Sequence, residues 1–84
     1  MSTARLALQR ATSWVRRIES TARVLRERRE PETRRVEVIA EHARAWLIRA
    51  YQHPGRERMA AVAMIGAAAA RVDLIRLAVL ARGG

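Results

Sequence analysis

Apolar residues recur in steps of four and three along the first third of the chain: Ala4, Leu8, Ala11, Val15, Ile18, Ala22 and Leu25. That spacing keeps to one face of an α-helix, so the pattern predicts a first helix over about residues 3–29. Ser2 or Thr3 is placed to cap it by accepting a backbone N–H. Glu19, Arg23 and Glu27, and Arg26 with Glu30, stand at i,i+4 spacing and are expected to pair along the helix surface. Pro31 cannot continue this helix, because it lacks an N–H and clashes with the preceding turn. It suits the opening of a second one, with Glu32 in the favourable first turn.

The second helix, over about 32–52, carries Val36, Ile39, Ala40, Ala43, Trp46, Leu47, Ala50 and Tyr51 on one face. His53-Pro54-Gly55 ends it, since the residue before a proline is pushed out of the helical region and Gly55 turns freely. A third helix follows over about 56–82. Ala61, Ile65, Ala68, Val72, Ile75 and Val79 form one stripe on it, and Met64, Ala67, Ala70, Leu74, Leu77 and Ala81 form a second beside it. Only the line Arg58, Gly66, Asp73, Arg76 reads as exposed.

A helix so apolar around its circumference is buried on several sides or spans a membrane. A span of about 20 residues takes in Arg71, Asp73 and Arg76, each costing on the order of 3 kcal/mol at the bilayer centre. A membrane is therefore not the expected partner. The pattern predicts an all-α, three-helix antiparallel bundle in a single domain spanning 1–84, which meets a second copy of itself through the third helix. The residues expected at that contact are Ala61, Met64, Ile65, Ala68, Val72, Ile75 and Val79. Small residues at four-residue spacing, Ala63-Ala67 and Gly66-Ala70, allow close backbone approach there.

Composition adds a charge pattern. The chain has 17 arginines, no lysine, and a net charge of +9. Ten of those arginines precede residue 36, against four glutamates in the same stretch. Arginine is a planar, permanently charged fork suited to phosphate and carboxylate. Codon bias toward G and C would also favour Arg and Ala, so the placement of the charge says more than its count. Arg10, Arg17 and Arg28 line one border of the first helix's stripe, and Arg16 and Arg23 the other. Arg28, Arg29, Arg34 and Arg35 cluster around Glu30-Pro31-Glu32, where the interleaved glutamates compete as local partners. These eight arginines are the candidate surface for an acidic partner, DNA or RNA backbone first and an acidic protein face second. Weak sequence specificity is expected, since no Asn or Gln stands beside them in a base-reading arrangement.

Other chemistry is sparse. With no cysteine there is neither a disulfide framework nor a thiolate metal site, and His42 and His53 are too far apart on one helix to share a metal. Trp46 and Arg49 are spaced to stack. No Ser-His-carboxylate order or glycine-rich phosphate loop is present, so neither a cofactor nor an enzymatic activity is expected. One histidine in an alanine-lined pocket would suit a haem or small-ligand bundle, a minor alternative. Pro31-Glu32-Thr33-Arg34-Arg35-Val36-Glu37-Val38-Ile39 resembles the start of the second helix of the small all-helical chorismate mutases, which clamp a dicarboxylate with arginines at a dimer interface. The likeness covers those nine residues, and the chain departs from that family in having no lysine and in the Arg and Asp spacing of its first helix.

The first 18 residues hold four arginines, serine and threonine but no acid, as an organellar presequence would; the same apolar stripe runs on past them as a bundle helix requires. With no secretory apolar region near the start, the expected location is the cytoplasm. Ala81-Arg82-Gly83-Gly84 reads as a glycine stop after a helix. The main alternative to an acidic-partner module is a self-assembling scaffold, natural or designed, without catalytic activity.

Overall fold

The computed structural model describes residues 2–83 and consists of α1 (Thr3–Glu27), α2 (Thr33–Gln52) and α3 (Arg56–Gly83), each packed against the other two. Among the described residues there is no strand. The molecule measures 42 × 19 × 16 Å, its long axis set by the 28-residue α3.

Each helix end has a local cause. Ser2 accepts the amide of Arg5 at 3.1 Å and caps α1. At the other end Glu30 N–H donates to the Leu25 carbonyl and Arg29 N–H to that of Arg26, both at 3.0 Å. This is the Schellman pattern, in which two orphan carbonyls are satisfied by a chain reversing through a left-handed residue. The left-handed residue is Arg29, with φ of 56°. That reversal stops α1 at Glu27 rather than near residue 29. Pro31 lies in the turn, just ahead of α2, and the Thr33 hydroxyl donates to the Glu30 carbonyl at 2.7 Å. His53 is extended before Pro54, and Gly55 takes a φ of 67°, as the sequence requires. Gly83 still belongs to α3, and Gly84, the other half of the expected glycine stop, lies outside the described residues.

The stripe of α1 is the core-facing one: Ala11, Val15, Ile18, Ala22 and Leu25 are buried, with Leu8 partly buried beside them. They meet Val36, Ile39, Ala40, Ala43 and Ala50 of α2. Trp46 and Leu47 are half-buried against this core, whereas Tyr51 projects outward and its hydroxyl lies 3.2 Å from that of Thr12. The buried set holds no polar or charged side chain. Burial of this kind is worth roughly 25 cal/mol per Å² of apolar surface.

Helix α3 corrects two expectations. Ala61, Ile65, Val72, Ile75 and Val79 were assigned to a contact between copies, yet all five are buried in the chain's own core. Ala68 is partly buried against the same core, and of the assigned set only Met64 is well exposed, at 48%. The reason is that α1 and α2 together cover the more strongly β-branched stripe. The second stripe faces solvent instead, with Leu74 at 68% and Leu77 at 62% exposed.

The line read as exposed is the other correction. Arg58 is half-buried and its Nε donates to the Ala50 carbonyl at 2.8 Å. Gly66 lies under the Trp14 ring, where an added β-carbon would stand 3.1 Å from two ring carbons. Asp73 pairs with Arg17. Three of the four positions therefore contact another helix, and only Arg76 keeps the exposed place expected of it.

Candidate nucleic-acid interface

Seven of the eight acidic residues hold a basic partner, and they draw on few of the arginines. The expected pairs along α1 do not form; Glu19 and Arg26 of α1 pair with α2 instead, while Arg34 pairs within α2. Arg44 of α2 grips Glu19 with two hydrogen bonds of 2.8 and 2.9 Å. Arg26 donates to Glu37 at 2.6 Å, and Arg34 reaches Glu37 and Glu41 at 4.0 and 3.8 Å. Arg82, near the end of α3, holds both Glu30 and Glu32 at 2.8 and 2.6 Å. Asp73 takes Arg17, and Glu57 takes His53 at 2.9 Å. Glu27 has no such partner among the described residues. Across helices a guanidinium fork can meet a carboxylate with two hydrogen bonds, as Arg44 meets Glu19, and such bidentate pairs are the stronger ones.

These contacts shift the groups that make them. The Glu19 carboxyl is held below the ordinary carboxylate range, chiefly by its hydrogen bonds from Arg44. Glu32 is lowered by its hydrogen bonds from Arg82, and Arg82 is raised in turn.

Arg82 decides a question that the sequence left open. Glu30 and Glu32 stand among Arg28, Arg29, Arg34 and Arg35, but their ion pairs are with Arg82 at the far end of α3, and Arg35 acts on Glu32 only through its charge. Of the eight candidate arginines, Arg17 and Arg34 are engaged by acids. Arg10, Arg16, Arg23, Arg28, Arg29 and Arg35 are exposed and have no carboxylate partner among the described residues.

The free arginines lie along α1 and around its end. Arg10 borders a groove with Trp14 and Arg17. Arg28 shares with Arg17 and Arg76 a cleft of about 170 Å³ between α1 and α3, which Ser20 and Thr21 also line. Arg16 and Arg23 flank the opposite edge of α1, so two rows of guanidinium groups border its outward ridge of Gln9, Ser13, Ser20 and Glu27. The rows are separated by roughly a helix diameter, about 10 Å. The major groove of B-DNA is about 12 Å wide and admits one helix.

Arg29 is the candidate residue whose backbone the sequence least explains. A left-handed residue after a helix is normally glycine, and a β-carbon there costs on the order of 1–2 kcal/mol. Arg28 before it and Arg35 in the first turn of α2 also have no carboxylate partner among the described residues.

The remaining candidates do not converge on one place. Arg49 lies over Trp46 at 5.4 Å, as their spacing predicts. His42 is exposed, His53 is occupied by Glu57, and among the described residues no group of three His, Cys, Asp or Glu could hold a metal. Among the described residues no helix is long and apolar enough to cross a membrane. No family model, curated protein or solved structure matches the chain.

Proposed function

We propose that the chain is a basic helical module that binds the phosphate backbone of a nucleic acid, and associates with itself through α3. The observation that carries the first half is the distribution of ion pairs. Internal acids are matched mainly by Arg17, Arg26, Arg34, Arg44 and Arg82. Beside Arg5, Arg49, Arg56, Arg71 and Arg76, this leaves Arg10, Arg16, Arg23, Arg28, Arg29 and Arg35 as the larger group of unpaired arginines open to an external anion. In an up-down-up antiparallel arrangement these residues share the α1 side and the α1–α2 end of the bundle.

The strained Arg29 supports the same reading. Local rules broken at one position, where the rest of the chain obeys them, mark sites under another demand. Binding is to backbone more than to bases: Gln9 is the only amide side chain on α1, and the other outward residues offer hydroxyls or a carboxylate. Two rows of arginine about 10 Å apart suit the two phosphate strands bordering a major groove better than a single strand.

The test is direct. Chain purified with nuclease treatment and high-salt washing should retard a random-sequence duplex at about 50 mM salt, where backbone contacts are strong. The triple substitution Arg28→Ala, Arg29→Ala, Arg35→Ala should abolish the shift while leaving the helical circular dichroism intact. Absence of any shift with the unaltered chain contradicts the proposal.

A further inference from the structure

The two grooves that α1 forms with its neighbours differ in charge. The α1–α2 groove is lined by Arg23, Arg26 and Arg34 and by as many glutamates, Glu19, Glu37 and Glu41, so its charge cancels. The cleft between α1 and α3 is lined by Arg17, Arg28 and Arg76 and by no acid. Asp73, which is not among its lining residues, answers Arg17. Arg28 and Arg76 have no carboxylate partner among the described residues, so two positive charges stand unmatched at one opening.

Helical spacing builds the cleft. Arg17, Thr21, Val24 and Arg28 follow one another in steps of four, three and four along α1, which keeps them on one face. Arg76, Val79 and Leu80 stand within about one turn of α3. Leu25 and Val79 are buried and make an apolar floor, with Val24 and Leu80 half-exposed beside them. Ser20 and Thr21 add two hydroxyls. The hydroxyls of Thr12 and Thr33 donate to backbone carbonyls, whereas those of Ser20 and Thr21 have no hydrogen-bond partner among the described residues. One cleft thus combines an apolar interior with two free hydroxyls and two free guanidinium forks.

We infer that this cleft is a binding site for a small phosphate monoester whose organic group is apolar and about the size of a phenyl ring. Volume sets the body. The cleft holds about 170 Å³, and a cavity of ~150 Å³ admits a benzene ring. Charge sets the head. A phosphate monoester carries close to two negative charges at neutral pH and three acceptor oxygens. Its charge matches Arg28 and Arg76, and an oxygen remains for a hydroxyl of Ser20 or Thr21. A carboxylate brings a single charge and leaves one guanidinium unmatched.

The site does not rest on the nucleic-acid reading. Arg28 is common to both, but Arg76, Ser20 and Thr21 stand outside the arginines proposed to meet a duplex.

Titration of phenyl phosphate into isotope-labelled chain, followed by backbone amide shifts at about 0.1 M salt, tests the site. The amides of Thr21, Leu25, Arg76 and Leu80 should move together, with Kd on the order of 1 mM or tighter for so small a ligand. Inorganic phosphate should bind about tenfold more weakly, because it leaves the apolar floor uncovered. Benzoate should bind at least about threefold more weakly for want of the second charge, and uncharged benzyl alcohol should cause no shift. The double substitution Arg28→Ala, Arg76→Ala should weaken phenyl phosphate at least about tenfold with helical circular dichroism unchanged, since both side chains are exposed. Leu80→Glu, which adds a carboxylate to the lining, should weaken it too while keeping all three arginines.

Shifts scattered over α1 and α2 rather than gathered at the cleft overturn the site, as does unchanged affinity in either variant. So does the absence of any shift at about 10 mM phenyl phosphate. Inorganic phosphate, benzoate or benzyl alcohol binding as well as phenyl phosphate overturns the assignment of its ligand. A chain that binds phenyl phosphate in the cleft yet retards no duplex leaves the site standing and contradicts the nucleic-acid reading alone.

Discussion

The indole of Trp14 rests on Gly66, so closely that a β-carbon at that glycine would stand 3.1 Å from its Cη2 and Cζ3. The contact sets the approach of α1 to α3. It also explains why a glycine persists in the middle of a 28-residue helix, where it costs about 1 kcal/mol relative to alanine.

Gly66→Ala should change stability little, because the helix gain and the displacement of the ring oppose each other. Gly66→Val should destabilise by about 1–3 kcal/mol, the usual range for overfilling a packed contact. Urea denaturation measures both. In a Trp46→Phe background the emission of Trp14 should shift to the red in each variant, as the ring loses its seat.

Ile18 and Ile65 are among the largest fully buried side chains and occupy α1 and α3. Either one replaced by Ala should cost about 2–5 kcal/mol, a large share of the stability of a domain this small. Ala50→Leu, at a position with no exposure, should also destabilise, by about 1–3 kcal/mol. A cost below about 1 kcal/mol for Ile65→Ala in chemical denaturation would contradict the central place given to it.

Acid should weaken the fold through Glu19 and Glu32. Both have folded pKa values below the ordinary carboxylate value, held down by hydrogen bonds from Arg44 and Arg82. At acid pH the unfolded chain therefore binds more protons than the folded one. Stability from these pairs is complete above the unfolded carboxylate pKa of about 4.3 and is lost as pH falls through the folded values. Melting temperature should decline from about pH 5 downward, and Glu19→Gln should flatten that decline. Exposed pairs contribute little individually, so the effect at neutral pH should be small.

Arg29→Gly separates stability from binding. Removing the β-carbon from a left-handed residue relieves on the order of 1–2 kcal/mol, partly offset by the extra freedom of glycine in the unfolded chain. The variant should be more stable by up to about 1 kcal/mol in urea and bind duplex more weakly. Loss of stability would mean that the arginine side chain anchors the turn.

The helices were legible from periodicity because Ala11, Val15, Ile18, Ala22 and Leu25 keep one heptad register and all face inward. The turns were legible from Pro31 and from Pro54-Gly55, whose backbones allow little else. Helix α3 was not: with apolar residues on nearly every side, its sequence does not say which stripe a 20-residue α2 and a 25-residue α1 will cover. Ion pairing was misread for a related reason. Spacing shows neighbours within a helix, whereas Glu19 and Arg44, or Glu30 and Arg82, meet only once three helices have packed. Arg29 shows the limit most clearly, since nothing in Arg28-Arg29-Glu30 announces which of the three turns left-handed.

The account stands or falls on whether the free arginines neutralise phosphates. Duplex affinity should be followed by fluorescence anisotropy as salt is raised from about 50 to about 200 mM. If Arg10, Arg16, Arg23, Arg28, Arg29 and Arg35 each engage a phosphate, log K should fall against log salt with a slope near −5, roughly a thousandfold over that range. A slope near zero, or no binding at the lowest salt, would contradict it.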